Sequence, residues 1–308
     1  MLVEIKKMEN ETIPKKKKDY LFPLNVLTAV LMVAIAWVYM NGKHVAGNIG
    51  QINQNYISSL AEFVLPKEGA VLPVKWNDLG KQILDAGVID AEKFELVYSK
   101  RGGLDEESKK LLYGENNGNL KITPENSGVI LNLLWALGLG NKNDVLDKGE
   151  MADPKYGGAE NFASTGGWTL AKGDVMSHYS HYNFISLTAE QQDLVENVSK
   201  NIYRPCCNNS THFPDCNHGM AMLGLLELMA SQGASEEEMY AVVLKVNSYW
   251  FPDTYLTIAK YFEQKNISWN QVDAKETLGV NFSSANGYRA ILTKVTPPER
   301  KSGGGCGI

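Results

Sequence analysis

The segment "RPCCNNSTHFPDCNHGM", residues 204–220, holds three of the four cysteines and two of the five histidines of the chain. Thiolate and imidazole are the donors that a soft or borderline metal ion selects. Cys207, His212, Cys216 and His218 make up a two-sulfur, two-nitrogen set of the tetrahedral kind, and Cys206, Met220 and Met222 add softer donors. The mixed set suits zinc, whereas thioether and thiolate together favour Cu(I). The C-C-x8-C-x-H spacing matches no standard zinc pattern, so the expected metal stays open between copper and zinc. His178 and His181, in "MSHYSHYNF", are three apart and share one face if that segment is helical. They extend the candidate donor set, as does Cys306, whose glycine neighbours let it sample enough space to reach the cluster.

Two other chemistries fit the same residues. In an oxidising compartment Cys216 pairs with Cys206 or Cys207 as a staple closing a loop of about ten residues, since adjacent cysteines strain a bridge between themselves. Alternatively, Cys206 or Cys207 attacks a disulfide and Cys216 or Cys306 resolves it, which requires a thiol activated by a source such as a helix N-terminus. Three readings therefore stand: a metal-binding protein in the lead, a thiol–disulfide oxidoreductase or thiol-handling factor of the cell envelope, and a disulfide-stapled interaction module. The sequence contains no C-x-x-C-H haem attachment, Walker loop, G-x-S-x-G elbow or H-E-x-x-H pair. Stoichiometric binding is expected in preference to turnover.

The elements that must position these residues are helical. "TAEQ" at Thr188 and "SEEE" at Ser235 read as capping boxes. One helix runs from Thr188 to about Tyr203, the next spans 217–232 and stops at Gly233, and others start at Asp253 and Ser284. Upstream, Asp90 N-caps "AEKFELVY", "LDEESKKLLYG" stops at Gly114, and Thr123 with Pro124 opens "ITPENSGVILNLLWALGLG". "KWNDLGKQILDAGVI" places Trp76, Leu79, Ile83, Leu84 and Val88 on a helical stripe. Residues 151–187 are Gly-rich and irregular, and a loop of that length is commonly functional. The expected class is mainly α, with a stalk or first packing helix at 42–70, a helical subdomain at 71–150, the irregular region at 151–187, a Cys/His-bearing helical domain at 188–296 and a flexible tail at 297–308.

With 308 residues, 44% apolar and 21% charged, the chain is globular in composition, and its net charge of −5 leaves no extended basic surface for nucleic acid. Tyr20 to Met40 is free of charge and long enough to cross a hydrocarbon core of about 30 Å. Six lysines precede it, so the positive-inside rule predicts a cytoplasmic tail (1–19), a single-pass anchor (20–41) and an extracytoplasmic remainder. A cleaved signal peptide has a shorter apolar stretch. The membrane is thus one expected partner, and another envelope protein a second.

From Tyr203 to Val246 the chain resembles the cysteine-bearing helical hairpin of the thiol proteins of cytochrome c maturation, and small secreted cysteine-rich proteins of similar layout. Gly233, Ser235 and Glu238 match the "G-x-S-x-x-E" turn of that hairpin. The resemblance implies a three-helix, membrane-tethered, extracytoplasmic thiol module. The chain departs from it where the chemistry lies, because Cys206 and Cys207 are adjacent and His212, Cys216 and His218 are additional.

Overall fold

The computed structural model describes residues 59–297 together with Met32 and Trp37, both helical and exposed. The predicted anchor (otherwise), the cytoplasmic tail and Cys306 lie outside the described residues. Among those described, no helix is long and apolar enough to cross a membrane. The described residues 59–297 group within one compact unit.

The fold is mainly helical with one small sheet. Two helices form its centre, α4 (Ser127–Gly140) and α7 (Asn217–Ser231). Both are apolar around nearly their whole circumference, the pattern of helices enclosed on all sides. They cross with their backbones in contact at Gly138 and Gly224, where a side chain on either would meet the facing backbone. Glu227 is fully buried on α7, and its Oε2 accepts from Asn141 Nδ2 at 2.9 Å. Burial pushes this carboxyl well above the ordinary range, and the Asn141 bond offsets only part of that.

Around this pair lie α1 (Leu79–Asp85), α2 (Ala91–Ser99), α3 (Glu106–Tyr113) and the single turn α5 (Asp144–Asp147) on the N-terminal side. On the C-terminal side are α6 (Ala189–Ser199), α8 (Glu236–Trp250), α9 (Pro252–Glu263) and the short α10 (Ala274–Leu278), α11 (Val280–Ser283) and α12 (Ala285–Leu292). Most predicted starts hold because the capping bonds form. Thr188 and Ser235 each close a reciprocal box, with Gln191 and Glu238. Asp90, Asp105 and Ser284 accept the N–H groups of Lys93, Ser108 and Gly287. Gly233 follows α7 at φ 82°, a left-handed turn that suits glycine.

Two expectations are corrected. The stretch beginning at Trp76 is not one helical stripe: Trp76 belongs to β1 (Ala70–Asn77), which pairs antiparallel with β2 (Asn117–Ile122). In β1 the alternating Leu72, Val74 and Trp76 are buried, and the helix starts only at Leu79, on the same side of the core. Pro73 lies where the register shifts between Val71 and Lys75, as a residue without an N–H requires. The free edge of β1 is closed by Gln232, which exchanges two 2.8 Å bonds with the Lys75 backbone. The second correction concerns α4, which begins at Ser127 and not after Thr123. Thr123 nevertheless makes the reciprocal bonds of a capping box: its N–H donates to Asn126 Oδ1 at 2.7 Å and its Oγ1 accepts the Asn126 N–H at 3.2 Å, so the expected cap forms while residues 124–126 stay a non-α turn. The described end of the 42–70 segment packs into the core, as its reading as a first packing helix expects: Leu60, Val64 and Leu65 are buried, and Tyr249 donates to the Pro66 carbonyl at 2.8 Å.

The Gly-rich region is an ordered strap of short 3-10 turns. Its centre is tied to the α1–α2 connection, where Trp168 Nε1 donates to the Val88 carbonyl at 2.8 Å and the Asp90 N–H to the Leu170 carbonyl at 2.7 Å. Just upstream, the Ser164 N–H donates to the Asp215 carbonyl at 3.1 Å. Phe162 and Tyr156 pack on Phe213, with ring centroids 5.3 and 5.1 Å away. The strap thus lies against the cysteine-bearing loop.

Candidate metal centre

The site is built on the loop between α6 and α7. Tyr203 and Ser210 form an isolated antiparallel bridge, and the Thr211 N–H donates to the Ile202 carbonyl at 2.8 Å, so the intervening residues form a closed projection. Its tip is a turn in which the Arg204 carbonyl accepts from the Cys207 N–H at 3.3 Å, with Pro205 in the second position that its fixed φ favours. The C-terminal helices hold the far side. The Ala285 N–H donates to the Cys207 carbonyl at 2.8 Å and the Asn286 N–H to Asn208 Oδ1 at 2.9 Å.

Arg204 organises the interior of this loop. Its side chain is 2% exposed, which demands that its donors be paired. Nε donates to Cys216 Sγ at 3.0 Å, Nη1 to the Asn209 carbonyl at 3.2 Å, and Nη2 to the Phe213 carbonyl at 3.0 Å and Asp215 Oδ1 at 2.6 Å. Room for the guanidinium comes from Gly219 in the first turn of α7, where a Cβ would stand 2.5 Å from Arg204 Cζ. Burial holds the Asp215 carboxyl above its ordinary value although Arg204 works in the opposite direction.

Cys216 is the N-cap of α7, and its sulfur is the hub of the site. Hydrogen bonds from the Cys206 and Cys207 thiols, then the charge and N–H of Arg204, hold Cys216 well below the ordinary thiol range against the effect of burial. The partners move the other way. Bonds to Cys207 and Cys216, with burial, raise Cys206. For Cys207 the bond with Cys206 lowers the thiol, but the bond to Cys216 and burial outweigh it. Cys206 Sγ lies 3.6 Å from Cys216 Sγ.

His218 completes the group from inside α7. Its Nδ1 lies 2.8 Å from Asn217 Oδ1, which also accepts the His218 backbone N–H at 2.9 Å. The shared acceptor is therefore the amide oxygen, Nδ1 carries the proton, and Nε2 keeps a free lone pair. The ring packs on Phe251 and Trp250, with centroids 4.4 and 5.7 Å away. Burial lowers its pKa from 6.5 to about 4. The unfolded chain then binds the extra proton first, so this neutral ring contributes stability that is complete above pH 6.5 and lost as pH falls towards about 4. For the metal-free chain, the difference in unfolding free energy between wild type and His218→Phe is expected to shrink by about 3 kcal/mol across that window. Denaturation at several pH values measures it.

Donor atoms of Cys206, Cys216 and His218 all lie within 4.8 Å of one another, a Cys/His cluster able to hold a metal ion. Cys207, Asp215 and Cys216 satisfy the same distance. In that second group, however, Arg204 takes Asp215 Oδ1 and Asn209 takes Oδ2 at 2.8 Å, so the carboxylate is already committed.

The remaining expected donors are placed elsewhere. His212 lies beside Glu150, 3.8 Å between Nδ1 and Oε1, and is not among the converging donors of the described residues. His178 and His181 do not share a helix face, because only a single 3-10 turn forms before them and Ser180 is left-handed at φ 49°. Both His178 nitrogens are engaged, with Tyr182 Oη at 2.8 Å and the Lys172 carbonyl at 2.9 Å, while His181 is exposed. Met220 and Met222 are core residues. Arg204, Asn217 and Gly219 were not expected in the site. Their one sequence signal is the glycine in the first turn of an otherwise apolar helix, a position that costs helix stability unless something needs the space. Comparisons of the chain with protein-family models, curated proteins and solved structures give no match.

Proposed function

We propose that the chain binds a soft transition metal, copper or zinc, through Cys206, Cys216 and His218, as a stoichiometric binder or carrier. The observation that carries this reading is the 3.6 Å separation of the two sulfurs. Two thiolates bound at about 2.3 Å to one tetrahedral ion stand roughly 3.8 Å apart, so little movement separates this arrangement from a ligated one. The Nδ1–H of His218 is held by Asn217, leaving Nε2 as the nitrogen donor. Arg204 offsets thiolate charge by donating to Cys216, and Asp215 balances Arg204. Three donors leave a further coordination position for a ligand from solvent or from a partner that receives the metal. The two thiolates would supply charge and softness to a bound ion, and the His218 imidazole would help complete its geometry.

In this reading Tyr20 to Met40 anchors the chain in a membrane, with the lysine-rich N-terminus in the cytoplasm and the metal centre outside. Elemental analysis of the reduced full-length chain tests the metal assignment. About one equivalent of copper or zinc per chain is expected, falling to none in Cys216→Ser and weakened in His218→Ala by roughly 100-fold or more, with His212→Ala unchanged. Unaltered stoichiometry in Cys216→Ser overturns the assignment. Asn217→Ala is expected to weaken binding by about 10–100-fold without loss of either thiol, because the ring then loses its fixed tautomer.

A further inference from the structure

The two sulfurs assigned to the metal are also placed to join each other. Cys206 Sγ and Cys216 Sγ are 3.6 Å apart, and bonding needs them to close to about 2 Å. Cys206 is exposed, whereas Cys216 is half-buried at the start of α7, so a reagent arriving from solvent meets Cys206 first. Arg204 Nε holds the Cys216 sulfur in position at 3.0 Å. The Cys207 sulfur also lies within 4.8 Å of Cys216, with the Asn209 carbonyl at 3.9 Å as an alternative acceptor, but it is less exposed than Cys206, and vicinal geometry disfavours its bonding to Cys206.

We propose that Cys206 and Cys216 form a reversible disulfide by exchange with a low-molecular-weight disulfide, so that metal and disulfide compete for the same two sulfurs. Cys206 passes its proton to the Cys216 sulfur 3.6 Å away and attacks one sulfur of the incoming R–S–S–R. A Cys206–S–S–R bond forms, the original disulfide breaks, and the departing thiolate takes the proton from Cys216. Cys216 then attacks Cys206 Sγ, the protein disulfide closes and the second R–S− leaves and is protonated. Two protein thiols are oxidised by two electrons and one external disulfide is reduced to two thiols. Neither sulfur of the product is a thiolate, so the metal loses two of its three donors. The competition rests on the metal assignment above, whereas the exchange stands without it.

The test equilibrates the metal-free, reduced full-length chain with glutathione and oxidised glutathione in varied ratio, traps free thiols by alkylation and maps the linkage by mass spectrometry. Zinc is the probe metal in parallel binding measurements. Two thiols are expected to disappear together as a Cys206–Cys216 link, in wild type and in Cys207→Ser, and not in Cys206→Ser. Zinc uptake should fall in step with the link, and zinc-loaded chain should oxidise roughly tenfold more slowly or less. A mixed disulfide at Cys206 that never advances to Cys216, or a wild-type link to Cys207 instead, overturns the exchange. Zinc uptake unaffected by complete oxidation of the pair overturns the competition. If the link forms but the reduced chain takes up no zinc, the exchange is upheld and the metal assignment fails.

Discussion

Replacing Arg204 by Met is expected to destabilise the chain by about 3–5 kcal/mol, because it leaves the partner of a buried ion pair uncompensated. The side chain is 2% exposed and donates to Cys216 Sγ, two backbone carbonyls and Asp215. Its removal strips those acceptors of donors inside a loop that the strap separates from solvent on one side. Lys is not a conservative replacement, since one ammonium cannot reach acceptors spread around a planar fork. Arg204→Met combined with Asp215→Leu should recover part of the loss, as the orphaned carboxylate goes with its partner. Urea denaturation of the reduced, metal-free proteins measures this, and an Arg204→Met variant within about 0.5 kcal/mol of wild type contradicts the organising role.

Substitution at the α4–α7 crossing is the second large effect. A Cβ at Gly224 would stand 2.7 Å from the Gly138 nitrogen, and one at Gly138 would stand 2.9 Å from the Gly224 nitrogen. The obstacles are backbone atoms of the facing helix, which no rotamer change moves. Gly224→Val is therefore expected to cost about 3 kcal/mol or more through overpacking, with Gly224→Ala following the same direction at smaller size. Pairing Gly138→Ala with Gly224→Ala should cost less than the sum, since helices already displaced by one methyl admit the second more easily. The effect reaches the site because α7 carries Cys216 and His218 at its start. Metal affinity and thermal unfolding measured on the same variants should decline together.

Much of the helical layout was legible locally. Asp90, Asp105, Thr188, Ser235 and Ser284 announce their helices because a capping bond spans three residues and needs nothing from the rest of the chain. The concentration of cysteine and histidine between 178 and 218 was legible for the same reason, as a density of residue types. Thr123 and Asn126 show the limit of such local reading, since each accepts the other's backbone N–H as a cap should, yet the turn they enclose is not α-helical and the helix starts only at Ser127. Trp76 shows another: one apolar spacing arises from a strand and the following helix when both face one core.

The sequence by itself determined that the chain is mainly helical, where most helices start, and that a soft donor set lies in the loop before α7. Tertiary structure alone decided which donors meet. His212 and His218 are equally near Cys216 in type and roughly so in sequence, yet only His218 rides into the cluster on the first turn of α7, while His212 faces Glu150. It also decided that Arg204 is buried, because that depends on the space over Gly219 and on acceptors from the loop and Asp215 together. The strap over that loop and the pairing of β1 with β2 are likewise contacts between distant segments. Such contacts depend on the summed shape of the core, which no short window of residues contains.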